Sequence, residues 1–467
     1  MAPDMELETR PRRTPPLDPG FVPASLWNRA YREAVRAHGG GQKLALALTR
    51  AHGRVSVIHT EIFPHTPEFA ARNEIYAERL LKFLLWQRGG HRVIVAGDPA
   101  IARHLERVYS PAGERAFDFE FLGRRVYGAA MSFGCVPYDE APEPAETSSP
   151  LGRHLGGCRI GFDLGGSDRK CSALIDGVVV HTEEVVWDPY FQEDPDYHLE
   201  GIHDTLKRAA EKLPRVDAIG GSAAGVYVNN EVRVASLFRG VGPDLFEQRV
   251  RGMFFEIQKA WGDVPFVVVN DGEVTALAAS MSLDAHAVLG ISMGTSQAGG
   301  DVTPEGQLTD WLNELAFAPV DYRPGAPVDE WSGDTGVGAQ YFSQQAIVRL
   351  LPIAGIEVPA GMPPAEQLAY AQAILAAGDP RARQVFETIG IYLGYAIAHY
   401  ADFYTLRHVL VLGRVTSGEA GEIILESARS VLDLDFPELA AEISLRLPEE
   451  QDRRHGQAIA AASLPAL

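Results

Sequence analysis

The chain has 467 residues, of which 46% are hydrophobic, and a net charge of −20, as in a globular protein with room for two or three domains. The charge disfavours unspecific binding to nucleic acid or to anionic membranes, and no apolar run of about 18 residues predicts a membrane span. Three distant cysteines without a CxxC spacing argue against a disulfide framework and a cysteine-built zinc site. Because the N-terminus also lacks an apolar signal segment, we predict a cytoplasmic protein.

Changes in composition divide the chain into four predicted parts. Residues 1–20 are rich in proline and charge and predict a flexible tail. Residues 21–140 carry the patterns of a hairpin, a helix ending in a glycine pair and a short buried strand, which predict an α/β module of unknown role. Residues 141–155 contain APEPAETSSP and predict a linker. In residues 156–467 strands and helices alternate, which predicts an α/β fold with helix-covered sheets.

The stretch GFDLGGSDRK places an acid and then a glycine turn behind an apolar strand. Gly165 and Gly166 let a ligand approach the backbone and tolerate positive φ, and the turn's N–H groups with the Ser167 hydroxyl form a concavity for anions. Asp163 is suited to hold Mg²⁺, often through water, and Lys170 is long enough to reach a phosphate. The alternative is a plain hairpin turn, with Lys170 a solvated lysine at the strand edge.

A second strand-to-turn motif, SMGTSQAGG, places Gly294, Thr295 and Ser296 behind another apolar strand. Two anion-binding turns in one chain would clamp a polyphosphate between them, whereas the alternative is two unrelated turns. A third glycine-rich loop is predicted at GGSAAG, residues 220–225, where the chemistry is weaker and the glycines would shape a cleft.

The stretch VVVNDGEVTALAAS places Asn270 and Asp271 where a buried strand ends and a helix begins. One interpretation makes Asp271 a helix N-cap. The other makes it a general base that accepts the proton of an alcohol during phosphoryl transfer. We favour the base, because ligands of α/β folds gather at the carboxyl ends of strands.

In this order, the motifs D-x-G-G-S, N-D-G-E-x-x-A-L-A, G-x-S-x-G-T-S and VLVLGRV resemble those of the ROK family over about residues 158–467. That family contains bacterial sugar kinases and related sugar-responsive repressors. The resemblance implies two ribonuclease-H-like lobes that close over a cleft. It also implies ATP and Mg²⁺ as cofactors and a sugar or polyol as the substrate.

The resemblance assigns roles to single positions. Asp271 corresponds to the catalytic base, Asn270 and Glu314 to sugar ligands, and Gly413 to a glycine turn beside adenosine. The positions that correspond to the two phosphate motifs are Asp163, Gly165, Gly166, Ser167, Gly294, Thr295 and Ser296.

The chain departs from the family pattern around the sugar pocket. Phe317 stands where many members have a histidine, and the segment that follows contains no zinc-binding cysteine cluster, so no zinc is expected. A second sugar-binding glutamate is replaced by Ala339, with Gln340 beside it. Nearby acids either take over sugar binding or form a solvated acidic loop. We favour the solvated loop. These acids are Asp329, Glu330 and Asp334.

Two functional hypotheses follow. The first is an ATP-dependent kinase for a sugar or sugar-like polyol, with Asp271 as the base. The alternative is a non-catalytic sugar or nucleotide sensor, or a transcriptional regulator of the same family. We find no helix-turn-helix pattern before the kinase-like region, which disfavours a DNA reader. The N-terminal module is expected to support the structure, with a degenerate extra lobe, a lid or a homodimer surface as alternatives. Three histidines are predicted to lack any metal-ligand spacing: His181, His203 and His399.

Overall fold

The computed structural model describes residue 7 and residues 9–146, 148–149, 151–448 and 452–467, with residues 148–149 and 452–455 described by their backbone alone. Within these ranges the strands form sheets of four, five and six strands and one two-stranded hairpin. No helix in the described ranges is long and apolar enough to cross a membrane.

The N-terminal module is built around the four-stranded sheet. Its elements are α1 (Ala24–His38), β1 (Gln42–Thr49), β2 (Val55–Ile62), α2 (Ala70–Gln87), β3 (Arg92–Ala96), α3 (Pro99–Val108), α4 (Ala116–Glu120) and β4 (Ser132–Val136). The sheet order is β2-β1-β3-β4, and β1 pairs antiparallel with both β2 and β3. The predicted hairpin therefore forms and turns at His52. The suggestion of a degenerate ribonuclease-H-like lobe is wrong, because that topology pairs the first strand in parallel with the strand that follows the crossover helix.

The first lobe follows the predicted linker, in which β5 (Ser148–Ser149) forms. Its elements are β6 (Cys158–Leu164), β7 (Asp168–Ile175), β8 (Val178–Val186), α5 (Pro195–Ala210), β9 (Ala218–Ala223), β10 (Val226–Val228), β11 (Glu231–Val234), α6 (Pro243–Leu245), α7 (Met253–Ala260), β12 (Phe266–Asn270) and α8 (Asp271–Ser282). The sheet order is β12-β9-β6-β7-β8. Residues 244–261 do not form one continuous helix, because α6 passes into a π-helical turn and α7 begins only after Gly252.

The second lobe contains the six-stranded sheet. Its elements are β13 (Val288–Met293), β14 (Gln297–Val302), β15 (Leu308–Thr309), α9 (Gln344–Ile353), α10 (Pro364–Ala376), α11 (Pro380–Tyr400), β16 (His408–Leu412), α12 (Glu419–Asp435), α13 (Pro437–Glu442), β17 (Ser444–Arg446) and finally α14 (Asp452–Ala462). The sheet order is β17-β16-β13-β14-β15-β5, so the linker strand adds to the outer edge.

Both lobes have the same strand topology. In each, three strands form antiparallel hairpins, the fourth pairs in parallel with the first, and the fifth pairs in parallel with the fourth. This arrangement confirms two ribonuclease-H-like lobes in an α/β protein. Helix α14 then returns to the first sheet, where a Cβ on Gly161 or Gly220 would overlap a carbonyl oxygen of the helix. Glycine is thus needed at both positions for the helix to pack this closely.

The N-terminal module and the second lobe share one continuous hydrophobic core, whereas the first lobe has its own. Leu46 and Trp86 of the module belong to the same cluster as Phe317 and Tyr392 of the second lobe. The module is therefore packed as part of the second lobe, although its sheet is separate.

The segment predicted as a flexible tail differs from that prediction over residues 9–20. Asp18 is buried and accepts hydrogen bonds from the Arg323 guanidinium and from the Tyr392 hydroxyl, the latter over 2.6 Å. Arg12 donates to the Leu434 carbonyl over 2.9 Å. These long-range contacts anchor the segment on the second lobe, while residues 1–6 and 8 lie outside the described residues.

Candidate active site

The first predicted phosphate turn is the tip of the β6–β7 hairpin, residues 165–167. Asp163, the penultimate residue of β6, accepts a 2.7 Å hydrogen bond from the Ser222 hydroxyl. The Lys170 ammonium lies 3.8 Å from Asp163 and 2.9 Å from Asp168, so a freely solvated lysine is excluded. Burial raises the pKa of Asp163, although the Lys170 charge opposes that shift. The hairpin therefore presents a buried acid and a paired cation at one end of the sheet.

Packing, rather than left-handed backbone, explains the glycine at position 166. Neither Gly165 nor Gly166 has a positive φ. A Cβ on Gly166 would overlap the Tyr190 ring, and the Trp187 indole donates a 2.8 Å hydrogen bond to the Gly165 carbonyl. The Ser167 hydroxyl donates to Asp168 over 2.9 Å. The turn is thus braced by side chains on its own lobe.

The second predicted phosphate turn, Gly294–Thr295–Ser296, is the tip of the β13–β14 hairpin. The Gly294 N–H donates to the Ser296 carbonyl over 2.9 Å, which closes the turn. The side chains of Thr295 and Ser296 are exposed, and a Cβ on Gly294 would meet no protein atom nearer than 3.7 Å. This turn offers hydroxyl and N–H donors without a carboxylate of its own.

The third predicted turn forms only in part. Gly220 and Gly221 lie inside β9, and only Gly225, with φ 134°, adopts a conformation that favours glycine. Ser222, which holds Asp163, was missed by the sequence interpretation. The pairing of β6 with β9 identifies it, because Asp163 and Ser222 lie opposite each other in these parallel strands.

Asp271 is the first residue of α8, and the preceding Asn270 is its N-cap. The Asn270 side-chain oxygen accepts a 2.7 Å hydrogen bond from the Gly272 N–H, so the capping role considered for Asp271 belongs to Asn270. Burial, together with the charge of Asp163, raises the pKa of Asp271 to about 6. The Asp271 carboxyl is half-buried and lines a cavity, so a ligand can reach it.

Glu314 approaches Asn270 from the second lobe. The Asn270 amide lies 3.5 Å from a Glu314 carboxyl oxygen. Burial, followed by the charge of Asp271, raises the pKa of Glu314 to about 8. The structure therefore brings together three of the residues predicted to surround the reacting hydroxyl.

The N-terminal module holds the backbone of the Glu314 segment. The carbonyls of Trp86 and Gln87, at the end of α2, accept hydrogen bonds of 2.9 and 2.8 Å from the N–H groups of Glu314 and Asn313. These terminal helix carbonyls have no intrahelical partner and would otherwise need one. The module, whose role could not be predicted, thus supports a candidate site residue.

Asn270 and Asp271 face two different cavities. A cavity of about 610 Å³ is lined by Asp271, Lys170 and Gly413. Gly413 has φ 103° and lies so close to the Met293 backbone that a Cβ would overlap it, which fixes glycine there. A second cavity, of about 440 Å³, is lined by Asn270 and Gly225 and, on the module, by Arg50 and Tyr127.

We predicted that Asp329, Glu330 and Asp334 form a solvated loop, and this prediction is wrong for two of them. Asp334 is buried and paired with both Lys82 and Arg115 of the N-terminal module. Burial alone would raise the pKa of Asp334, but these two cations hold it below its usual value. Asp329 is also buried, and only Glu330 is exposed.

At the histidine position, Phe317 packs on Trp86 with ring centroids 4.4 Å apart. Ala339 is buried, and the Gln340 amide donates to Gln345. The pocket wall is thus rebuilt from apolar groups and a contact with the module.

One histidine has donor neighbours that the sequence did not reveal. His181, Glu183 and Cys171 bring their donor atoms within 4.8 Å of one another, because β8 alternates its faces and Cys171 lies opposite Glu183 in β7. Glu183 is paired with Arg208 over 2.7 Å. The prediction that His181 has no potential metal-ligand partners is therefore wrong. His203 accepts a hydrogen bond from the Trp261 indole, and His399 lies in the core.

No protein-family model and no curated protein matches the chain. Solved structures do match. A ROK hexokinase from Thermus thermophilus is 20% identical, with a TM-score of 0.52, and the match covers 66% of this chain and 97% of the hexokinase. This chain has the ROK fold.

A ROK family transcriptional regulator, a homologue of the E. coli MLC protein, is 22% identical with a TM-score of 0.53. That match covers 66% of this chain and 78% of the regulator. The resemblance inferred from the motifs is thus confirmed at the level of the ROK fold, which both an enzyme and a regulator share.

Proposed function

We propose that the chain is a ROK-family kinase that transfers a phosphoryl group from ATP to a hydroxyl of a sugar or polyol, with Asp271 as general base. The main observation in support of this proposal is the position of Asp271. It lies at the start of α8 and in the wall of the 610 Å³ cavity that Lys170 and Gly413 also line. A carboxylate with a pKa near 6 is ionised at neutral pH but basic enough to accept a proton. That combination suits phosphoryl transfer to an alcohol.

The two glycine turns are suited to hold the polyphosphate. Backbone N–H groups of both turns and the hydroxyls of Thr295 and Ser296 would donate hydrogen bonds to phosphate oxygens, and Gly413 would leave room for adenosine. The Ser167 hydroxyl, which donates to Asp168 in this structure, would join them by turning toward the phosphate. Lys170 supplies a cation beside the first turn. Bound Mg²⁺ would neutralise charge on the phosphates and on the leaving oxygen.

The residues fit such an ion. Mg²⁺ prefers oxygen ligands and keeps several waters, and Asp163 offers a buried carboxylate on the first lobe. One oxygen of that carboxylate is fixed by Ser222, while the other is 3.8 Å from Lys170. Asp163 would therefore hold the ion, either directly or through water.

Asn270 and Glu314 are suited to orient the acceptor. Because the pKa of Glu314 is raised to about 8, its carboxyl is protonated at neutral pH and donates a hydrogen bond to a sugar oxygen. Asp271 remains ionised under the same conditions. The two acids thus divide the tasks, one positioning the hydroxyl and the other removing its proton.

The decisive experiment measures ADP release from Mg·ATP over a panel of hexoses, amino sugars and inositols. We expect one class to stimulate release. Asp271→Asn should lower turnover by about 10²- to 10⁴-fold while ATP affinity, measured by calorimetry, changes by less than about twofold. Asp284→Asn, the same change at an exposed residue beyond the end of α8, serves as the control. Normal turnover in Asp271→Asn would contradict the assignment.

A second candidate is a non-catalytic sensor of sugar or nucleotide. It is favoured by the apolar Phe317 and Ala339 at positions where the ROK resemblance expects sugar ligands, and by the fold shared with a regulator. ATP binding without ADP release for any compound of the panel would support the sensor. The N-terminal module, with its mixed four-stranded sheet, carries no helix-turn-helix pattern for reading DNA in residues 21–140.

A further inference from the structure

A cavity of about 720 Å³ lies where the N-terminal module, the first lobe and the Trp331 loop meet. This volume is within the range of pockets that hold small molecules. Apolar walls come from Phe238, Phe246 and Val241, and Trp331 stands at the rim with 58% of its surface exposed. The candidate active site as described above does not use this cavity.

The charge of the cavity is opposite to that of the protein. The chain has 62 acidic and 42 basic residues, yet arginines dominate the polar groups of this wall. The five arginines are Arg124, Arg125, Arg233, Arg239 and Arg251. Guanidinium groups are strong binders of carboxylate and phosphate, because their planar fork of donors matches two oxygens at once.

Carboxylates balance only part of this charge. Arg233 pairs with Glu231 over 2.7 Å, and Arg251 with Glu247 over 2.6 Å. Arg124 lies at a looser 3.7 Å from Glu120.

The other two arginines lack an acid. In the part of the chain that the structure describes, no carboxylate pairs with Arg125 or Arg239. The Arg239 guanidinium instead lies 3.9 Å from the centre of the Tyr190 ring. Two cations thus remain available to an anionic ligand.

The cavity adjoins both halves of the candidate active site. The Tyr190 ring, on which Arg239 stacks, covers Gly166 of the first phosphate turn. On the other side, the Trp331 ring lies 5.3 Å from the Phe317 ring, three residues beyond Glu314.

The cavity also borders the 440 Å³ cavity that Asn270 lines. Residues 226–234, which form the β10–β11 hairpin, contribute to the walls of both. The turn over residues 121–127 does the same, with Tyr127 facing one cavity and Arg124 and Arg125 the other.

We propose that this cavity receives an anionic group of the acceptor, so that the substrate is a sugar or polyol carrying a phosphate or a carboxylate. The proposal rests on the proposed kinase function for the identity of the ligand as acceptor. It accounts for the departure from a neutral-sugar pocket at Phe317 and Ala339, because affinity lost there is supplied by arginines at the far end of the ligand.

The test is calorimetric titration of glucose 6-phosphate, gluconate and neutral glucose into the full chain in the presence of a non-hydrolysable ATP analogue. We expect at least one anion to bind more tightly than glucose, and its affinity to fall with added salt. Arg239→Gln and Arg125→Gln should each weaken that binding by about tenfold or more, as expected for loss of a charge-assisted hydrogen bond. Arg249→Gln, in the same segment of the first lobe but outside the cavity wall, should not.

Binding is measured without turnover, so the two proposals fail separately. Arginine-dependent anion binding with no ADP release would support the site and contradict the kinase. ADP release stimulated at least as strongly by glucose as by either anion, with no loss of the anion-stimulated release in the two arginine variants, would support the kinase and overturn the anion site. Failure of both anions to bind, or equal binding in the two variants, would also overturn it. Between the anions, tighter binding of glucose 6-phosphate identifies phosphate as the recognised group, and tighter binding of gluconate identifies carboxylate.

Discussion

The two lobes share a strand topology but place different chemistry at the same point. Asp163 and Ser292 each lie two residues before the turn of the first hairpin of their lobe, and their cross-strand partners are Lys170 and Ala298. The first lobe thus surrounds its turn with acids and a cation, whereas the second offers only hydroxyl and N–H donors. The carboxylate that would hold a metal ion therefore belongs to the turn of the first lobe, whereas the turn of the second lobe supplies neutral donors for phosphate.

The lobes also differ in how they are stabilised. The first has a hydrophobic core of its own, while the second shares its core with the N-terminal module and is tied to it by the buried Lys82–Asp334 and Arg115–Asp334 pairs. A repeated topology therefore constrains neither the chemistry of a lobe nor the way in which it is buried.

The largest expected effect breaks the stabilisation of the second lobe. Lys82→Met removes the ammonium group of the module from Asp334 of the second lobe. Among the described residues, it also leaves the fully buried Asp118 with only the Trp86 indole as a side-chain hydrogen-bond partner, at 3.0 Å. Removing one member of a buried ion pair typically costs about 3–5 kcal/mol. Urea unfolding followed by tryptophan fluorescence should show this loss. Lys212→Met, at an exposed position on the first lobe, should change the free energy of unfolding by less than about 0.5 kcal/mol. Equal losses in both variants would contradict the asymmetry.

The next effect separates the two phosphate turns. Asp163→Asn should lower turnover by about 10²-fold or more, because it removes the charge proposed to hold the metal. It should also raise the Mg²⁺ concentration needed for half-maximal activity. Ser292→Ala, at the corresponding position of the second lobe, should change turnover only severalfold and leave the Mg²⁺ dependence unchanged. An unaltered Mg²⁺ requirement in Asp163→Asn would place the metal elsewhere.

The sequence could predict both hairpins, because apolar strands, glycine turns and polar residues follow each other within a dozen positions. The sequence also predicted that Asn270 and Asp271 lie at the end of a strand. It could not assign the cap to Asn270, since both residues are good caps and only the fold selects one. Nor could it predict the tie between α2 and Glu314, which joins backbone groups more than 220 positions apart.

The same reason explains the error at Asp334. A run of acids reads as solvated until the fold supplies partners, and here Lys82 and Arg115 come from a segment before the linker. Long-range pairing of charges leaves no local pattern in a single sequence.

A smaller effect concerns pH. Below pH 6 the Asp271 carboxylate becomes protonated and can no longer accept a proton, so kcat/KM should fall tenfold per pH unit. Above pH 8 the Glu314 carboxyl loses its proton and its ability to donate, so KM for the acceptor should rise. Glu314→Gln keeps a donor at this position and should remove the alkaline change while preserving the acid limb. The acid limb of the kcat/KM profile should keep its midpoint in Glu314→Gln. If that midpoint shifts in Glu314→Gln but not in Asp163→Asn, the acid limb would report Glu314 rather than Asp271, and the roles assigned to these two acids would be exchanged.

The smallest effect compares the two turns directly. Gly166→Ala introduces a Cβ that overlaps the Tyr190 ring, whereas the Cβ of Gly294→Ala meets no protein atom within 3.7 Å. Overpacking of this kind costs about 1–3 kcal/mol, so Gly166→Ala should lower the free energy of unfolding and Gly294→Ala should not. Adding Tyr190→Ala to Gly166→Ala should recover part of the loss, because it removes the ring that the new methyl group strikes. Non-additivity of this sign is the signature of a shared contact. Simple additivity of the two substitutions would mean that the first turn relieves the overlap by moving its backbone, and that its bracing by Tyr190 is weaker than the structure indicates.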